Sequence, residues 1–395
     1  MDSYDVIIVG SGPAGTSTAL HLLHRNPAWA SRILILEKEH HPRLKLCGGG
    51  LTEWGEQPLR ELGLRVPVPH VEVREARFTY DGISFSYWGK PVIRVTRRDE
   101  FDDWLCRLVK EKGVRVNEGE AVVDVRLEKD GVRVTTTRGE YCAEALVGAD
   151  GSKGLVRRKL GLKDERHIAR LLEVLTPEDP NRVREFVDAR ANFDFTPLAS
   201  GMQGYYWDFP SWVRGRAFMN RGVYDSRADA DAPRAALKTI LAEQMARRQR
   251  TMDAELHGHP IHWFDPRAPL SRPRAILVGD AAGSDPLFGE GIGYALAYGR
   301  VAARAIERAF ATGDFSFRNY RRCVLFDWVG RDLSLRWLTA GIVYRLRRRP
   351  RAARLAARIV SWVISLVLWA NRGKRHAAPP RPFQGDTARA DAVSK

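Results

Sequence analysis

Near the N-terminus an apolar run, Asp5-Val6-Ile7-Ile8-Val9, passes directly into Gly10-Ser11-Gly12-Pro13-Ala14-Gly15 and then into the helix-compatible stretch from Thr16 to Leu23. A buried strand, a glycine-rich turn and a helix, in that order, constrain the fold more than any other feature of the chain. The first glycine of such a fingerprint makes the tight turn, the second leaves room for a pyrophosphate, and the third lets helix pack on strand. A second apolar run, Ile33 to Leu36, ends at Glu37-Lys38, at the distance where an acidic residue meets an adenosine ribose. The segment predicts a Rossmann-type unit with Gly10, Gly12, Pro13, Ala14, Gly15, Glu37 and Lys38 at a dinucleotide.

Far along the chain, Leu277-Val278-Gly279-Asp280 breaks into Ala281-Ala282-Gly283 and then Pro286-Leu287-Phe288-Gly289-Glu290-Gly291-Ile292-Gly293. A strand ending in Gly-Asp aims a carboxylate at a ribityl hydroxyl, and glycines at a helix start let backbone N–H groups approach a pyrophosphate or a flavin ring. Between the two ends, Ala145-Leu146-Val147-Gly148 runs into Ala149-Asp150-Gly151, and Arg98 opens a helix-like stretch from which it would reach cofactor phosphates. These segments recur in the order expected of an FAD domain interrupted by insertions. The predicted cofactor contacts are therefore Arg98, Val122, Asp150, Gly151, Gly279, Asp280, Pro286, Gly289, Glu290, Gly291 and Ile292, besides the N-terminal set.

The expected fold class is α/β: an FAD-binding domain from 1–70, 98–165 and 270–330, interrupted by an antiparallel β-sheet substrate domain from 71–97 and 166–269. Glu72 to Ile93 alternates polar and apolar residues, and Asn192 to Tyr224 places aromatics at every second position in places, both strand patterns. Ala235 to Arg250 reads as an amphipathic helix. At 395 residues the chain is long enough for such cores. Its four cysteines, Cys47, Cys106, Cys142 and Cys323, are too scattered for a zinc site or a disulfide framework. Pro260 breaks the alignment of His257, His259 and His262, so no metal is expected there. The first strand begins so close to Met1 that no secretory signal is expected.

Three further stretches resemble the geranylgeranyl reductase family, within the flavoproteins built like para-hydroxybenzoate hydroxylase. They are Pro42-Arg43-Leu44-Lys45-Leu46-Cys47-Gly48-Gly49, similar to a Pro-x-x-Lys-x-Cys-Gly-Gly loop; Tyr205-Tyr206-Trp207-Asp208-Phe209-Pro210, similar to a Tyr-x-Trp-x-Phe-Pro signature; and Pro286 to Ile292. The resemblance implies that the loop carrying Lys45, Cys47, Gly48 and Gly49 borders the isoalloxazine. It also implies an FAD-dependent reductase of polyprenyl double bonds, with NADPH or a ferredoxin-like protein as electron donor. Cys47, Tyr205 and Trp207 are the candidate catalytic residues, and Tyr205, Trp207, Phe209 and Pro210 the candidate substrate wall. On a strand, 205, 207 and 209 share one face, which is also what an ordinary sheet core looks like. Where the family usually has a glycine after the Phe-Pro pair this chain has Phe218, with Gly222 later. The alternatives are a flavin monooxygenase or halogenase of the same scaffold and a membrane-recruited electron-transfer flavoprotein. Aromatic hydroxylases usually carry Gly-Gln-Gly where this chain has Gly289-Glu290-Gly291, and halogenases carry Trp-x-Trp-x-Ile-Pro.

Of the net charge of +16, 15 Lys and Arg against 3 Asp and Glu place +12 after residue 330, leaving +4 on the rest. This 331–375 region is expected to be helical, with apolar blocks Trp337–Tyr344 and Ile359–Ala370 around an arginine run, and 376–395 to be disordered. The second block is too short to cross a bilayer. Its tryptophans and flanking cations suit a helix lying on an anionic membrane surface, on the cytoplasmic side, or a helix packed on the protein or on a second subunit. The cations flank apolar blocks rather than a polar reading surface, so nucleic acid is not an expected partner.

Overall fold

A computed structural model of the chain describes residues 2–162, 167–252, 255–349 and 351–359. The apolar block beyond residue 359 and the 376–395 tail lie outside the described residues. Among the described residues the strands form two eight-stranded sheets. The first has the order Ser271–Arg272, Ala275–Leu277, Glu140–Gly148, Asp2–Val9, Ile33–Leu36, Arg115–Asn117, and its last five strands pair in parallel. Val122–Leu127 and Val132–Thr136 extend it antiparallel from Glu140–Gly148. Parallel strands are covered on both faces and so read as unbroken apolar runs. Ile33–Leu36 is Ile-Leu-Ile-Leu and buried throughout.

Three predicted elements meet on this sheet. The helix Pro13–Arg25 starts at the glycine turn and packs against Ile292–Thr312 and Arg98–Glu111. Gly10 has φ +105°, and a Cβ there would lie 2.5 Å from the Ala149 carbonyl oxygen. At Gly15 a Cβ would lie 2.0 Å from the Gly10 carbonyl oxygen. Each position needs glycine because another backbone occupies the side-chain space.

The second sheet runs His257–His262, Ile168–Pro177, Arg216–Asp225, Gly204–Val213, Arg190–Asp194, His70–Tyr80, Ile83–Thr96, Gly50–Thr52. It is antiparallel except for one parallel pairing, Arg190–Asp194 with His70–Tyr80. Its edge strand Gly50–Thr52 comes from the segment expected to belong wholly to the cofactor domain, so the Cys47 loop leads directly into the substrate sheet. Alternation sorts the aromatic strand. Tyr206 packs outward with Val174, Val223 and the helix Leu237–Arg247, while Tyr205, Trp207 and Phe209 face inward. The hairpin turn after the aromatic strand is Arg214-Gly215, both with positive φ. Gly222 therefore sits inside the next strand, opposite Trp207, and serves no turn.

After Ile292–Thr312 the chain forms the helix Trp328–Arg345, opened by Asp327, whose carboxylate accepts the Val329 N–H. Residues 351–359 are helical as well.

The glycine turn generates a paired prediction. Gly15→Ala forces the helix off its strand and is expected to cost about 1–3 kcal/mol in urea unfolding. Gly12→Ala is expected to leave the midpoint nearly unchanged, because a Cβ there meets only the flexible Arg43 side chain, at 3.4 Å. Equal losses in the two variants would refute this division of labour.

Candidate functional site

One cavity of about 1340 Å³ runs between the two sheets and joins the glycine-rich motifs to the aromatic strand. Gly10, Gly12, Pro13, Ala14, Glu37, Lys38, Arg98 and Val122 line one end. Gly15 does not line it; its place in the fingerprint is the helix–strand contact already described. The Glu37 carboxylate accepts the Ser11 N–H at 3.0 Å, the Ser11 hydroxyl at 2.9 Å and the Glu39 N–H at 3.1 Å, so it braces the glycine turn. A carboxylate has about four acceptor sites, which leaves room for a ribose hydroxyl as well. Arg98 lines the cavity with part of its guanidinium already committed within the chain. Its guanidinium forks onto both oxygens of the buried Asp102 at 2.7 and 2.8 Å. Burial opposes the Asp102 charge, yet Arg98 and Arg43 hold its carboxyl below the usual range. Arg43, from the same loop as Cys47 and absent from the expected cofactor contacts, reaches from this pair toward Gly12.

The middle of the cavity is bordered by Lys45, Cys47, Gly48, Gly49, Asp150, Gly151, Gly279, Asp280, Gly289, Glu290, Gly291 and Ile292. The helix Ile292–Thr312 has Gly291 at its cap with no side-chain acceptor, so its first N–H groups open toward the cavity, a place that favours negative charge. Asp280 accepts a hydrogen bond from Ser152 at 3.3 Å. Burial pushes the Asp150 carboxyl up to about 6. Lys45 does not turn to Cys47. Its ammonium meets His259 Nε2 at 2.8 Å, which assigns that nitrogen as acceptor. Burial holds Lys45 below the usual ammonium range, and burial followed by the Lys45 charge pushes His259 down to about 4. His259 belongs to a histidine-rich segment from which no metal site was expected, and spacing alone does not reveal its contact with Lys45. The Cys47 sulfur accepts the Gly49 N–H at 3.4 Å, leaving its own hydrogen uncommitted in that contact.

At the far end Tyr205, Trp207 and Phe209 form the predicted wall, joined by Phe78, Phe193, Phe195 and Phe288. Ring centroids are 4.9 Å apart for Phe78 and Phe193 and 5.0 Å for Phe193 and Phe209, the spacing of packed aromatics. Pro210 and Pro286 are absent from the lining. Pro210 points to the opposite face of its strand, and the Pro286 carbonyl accepts the Tyr224 and Ser226 hydroxyls. Tyr205 is no proton donor in this arrangement. Its hydroxyl donates to the Phe288 carbonyl at 2.5 Å, and burial raises its pKa well above the usual value.

The tail helix closes the chamber. Thr339 and Val343, then Leu346, Ala353, Ala356 and Ala357, line the cavity. Ala340 and Tyr344 pack on Leu198 and Leu287, and the Tyr344 hydroxyl donates to the Leu287 carbonyl. The first apolar block thus packs on the protein, one of the two alternatives left by the sequence. Arg336 from the same helix meets Asp285 at 2.5 Å, Asp332 at 2.9 Å and Glu290 at 3.4 Å. Glu290 also accepts the Thr52 hydroxyl at 2.7 Å. Burial raises the Glu290 pKa. His41, Cys106 and Glu118 approach one another closely enough to share an ion. Lys110 already neutralises Glu118 at 2.9 Å, and burial pushes the Cys106 thiol up to about 12, away from the thiolate a metal requires.

Comparison with known proteins agrees with this geometry. Residues 3–296 match the FAD binding domain family. The chain is 29% identical over 340 residues to menaquinone reductase of Mycobacterium tuberculosis, covering 78% of this chain and 77% of that protein. It is 26% identical over 336 residues to digeranylgeranylglycerophospholipid reductase of Thermoplasma volcanium, covering 80% and 81%. In solved structures, a geranylgeranyl bacteriochlorophyll reductase-like protein of Thermoplasma acidophilum superimposes with a TM-score of 0.76 at 23% identity, over 91% of this chain and 92% of that one. A flavin-dependent halogenase superimposes at 0.64 with 22% identity, over 86% and 63%, and at this distance both structures speak to fold alone. The glycine cradle, the acidic residues at two strand ends and a helix N-terminus in one cavity fit an FAD, and the chain belongs to the FAD binding domain family, with its resemblance to geranylgeranyl reductases extending over most of its length.

Proposed function

We propose that this oxidoreductase saturates carbon–carbon double bonds of a polyprenyl group carried on a lipid, a diphosphate or a quinone. The observation that carries the reading is the continuity of the cavity. A cofactor end rich in glycine opens without a partition into an aromatic chamber that the alanine face of 351–359 prolongs. A long apolar chain suits such a space, because its burial is favourable along its whole length and excludes water from the reacting carbons. The relatives are by their names reductases of menaquinone and of a digeranylgeranylglycerophospholipid, which supports a related class here. The halogenase reading has the fold in common, but the aromatic strand reads Tyr205-x-Trp207-x-Phe209-Pro210 rather than Trp-x-Trp-x-Ile-Pro.

Gly10, Gly12, Glu37, Asp280 and the N-terminus of Ile292–Thr312 would hold an FAD, which when bound and reduced by NADPH or another donor would supply hydride chemistry to one carbon of the double bond. The chain's own residues supply the rest. The aromatic wall orients the isoprenoid, Cys47 gives a proton to the second carbon, and Lys45 with His259 forms a proton-carrying pair on the same side of the cavity. Photoreduced protein mixed anaerobically with geranylgeranyl-bearing candidates is expected to recover oxidised flavin and yield a product heavier by two hydrogens per bond. Cys47→Ala is expected to keep FAD uptake and reduction while slowing that reoxidation by about 10²–10⁴-fold. Reoxidation at the same rate with and without every prenyl candidate would remove the reading, and halide incorporation under oxygen would replace it.

The substrate class implies a membrane. No helix of the described residues is long and apolar enough to cross one. Along Trp328–Arg345 the side facing away from the cavity carries Arg331, Leu335, Leu338, Ile342 and Arg345, and the three apolar residues are each more than half exposed. Residues 351–359 continue this pattern with exposed Arg351, Arg354, Leu355, Arg358 and Ile359. Apolar residues among arginines suit the interface of an anionic bilayer, where each cation contributes about 1 kcal/mol. The full chain is expected to float with vesicles rich in anionic lipid and to be partly released by salt. Replacing Leu335, Leu338 and Ile342 by Glu together is expected to abolish flotation without disturbing FAD uptake. Equal flotation of the two proteins, or none by either, would refute the membrane assignment.

A further inference from the structure

The loop carrying Cys47 has no regular structure from 43 to 49, yet its backbone is held at three points by the substrate sheet. At one end Gly49, with φ +78°, accepts the Thr96 N–H at 3.0 Å and passes into the edge strand. At Cys47 itself, the backbone N–H donates to Glu173 Oε1 at 3.2 Å, and the carbonyl accepts Asn220 Nδ2 at 3.1 Å. Asn220 in turn accepts the Trp207 indole N–H at 2.8 Å on its Oδ1.

These partners are not scattered. Glu173 lies opposite Gly222 on one neighbouring strand pair, and Gly222 lies opposite Trp207 on the next, so the three form a row across the sheet. Asn220 is two residues from Gly222, on the same face. Gly222 lacks a side chain where a Cβ would stand 2.3 Å from the Trp207 ring, which lets the indole lie flat across the row. Gly48 lies against the same surface, its Cβ position 3.1 Å from the Phe209 ring. Glu173 is only 3% exposed and its Oε2 has no hydrogen-bond partner among the described residues. Burial raises its pKa, and the Arg97 charge, the Cys47 N–H and the Asn220 side chain act against that rise, so Glu173 and Asn220 meet the loop as one group.

We propose that Glu173, Asn220 and Trp207 are positioning residues that hold the Cys47 peptide over the aromatic wall. Trp207 sets the direction of the whole device. An indole nitrogen only donates, so it fixes Oδ1 of Asn220 toward itself and thereby turns Nδ2 toward the Cys47 carbonyl. The residue that forms the substrate wall thus also orients the amide that anchors the loop. Through the loop, the aromatic chamber and the cofactor end are held in one register. This dock stands on hydrogen bonds of the chain alone; its bearing on turnover rests on the proposed reductase reading.

Hydrogen exchange and peptide-mapped alkylation of Cys47, on protein without substrate, separate the two. In Asn220→Ala and Glu173→Ala, exchange at the Cys47 and Gly48 amides is expected to quicken roughly tenfold or more, and iodoacetamide to label Cys47 faster. Trp207→Phe keeps a ring and removes only the donor, and is expected to loosen the loop as Asn220→Ala does. Glu173→Gln keeps an acceptor oxygen and is expected to restore protection. The dock is overturned if Cys47 protection is unchanged in these variants, if Glu173→Gln is as loose as Glu173→Ala, or if exchange rises equally over the whole sheet. A variant that fails to fold is replaced by Trp207→Phe and Glu173→Gln, whose predicted responses are opposite. Failure to reduce any prenyl compound would leave this result untouched.

Discussion

The two ends of the cofactor site are separated by almost the whole catalytic body, and a close helix–helix approach brings them together. Pro13–Arg25 and Ile292–Thr312 touch where Gly299 faces Ser17, and a Cβ on Gly299 would stand 2.6 Å from the Ser17 side chain. The Ser17 hydroxyl donates to the Leu296 carbonyl at 2.7 Å, and a Cβ on Gly279 would stand 2.7 Å from the Ala14 methyl. Small residues at one crossing therefore allow the glycine turn and the Gly279-Asp280 strand end to face the same space. The intervening segments then have to leave this sheet and return to it. They do so by building the second sheet, whose inner face becomes the opposite wall of the cavity.

Burial of charge shows where this construction is under most constraint. Arg98 and Arg43 converge on Asp102 at one end, and Arg336 converges on Asp285, Asp332 and Glu290 at the other. Pairs of this kind add little net stability against a well-packed apolar core, but removing one partner strands the other at a cost of several kcal/mol. Their effect is to hold loops in place. The segment 285–291 is tied by Arg336 on one side and by Thr52 on the other, so the helix Ile292–Thr312 presents its N-terminus to the cavity in a fixed position.

How much was legible in the sequence follows from the range of the interactions. Gly10, Gly12, Glu37, Asp150 and Asp280 act through local backbone geometry at strand ends and all line the cavity, whereas Gly15, expected at the dinucleotide, packs helix on strand instead. The inward face of 205, 207 and 209 is equally local, since it needs only the alternation of a strand. Roles that depend on contact across the chain were hidden. Arg98 forks onto Asp102, the Lys45 ammonium donates to His259, and the Tyr205 hydroxyl donates to the Phe288 carbonyl, and no local motif displays any of these contacts. Pro210 was misplaced for a simpler reason: adjacency in a strand signature means opposite faces.

The tail shows the same limit most sharply, because one helix carries two incompatible-looking patterns. Its arginines and apolar residues, taken by composition, suit either a membrane surface or packing on the protein. Helical periodicity in three dimensions divides them: Leu333, Ala340 and Tyr344 are buried, Arg336 reaches Asp285 and Glu290, and Leu335, Leu338 and Ile342 remain outside. The inner stripe completes the chamber and pins the 285–291 loop, and the outer stripe is free to meet another phase. A helix so divided cannot be removed as a peripheral attachment, since cutting it away opens the cavity and strands Asp285 without its cation. Closure of the chamber and the position of the 285–291 loop are thereby coupled through one element, because the helix that lines the cavity at Thr339 and Val343 also carries Arg336.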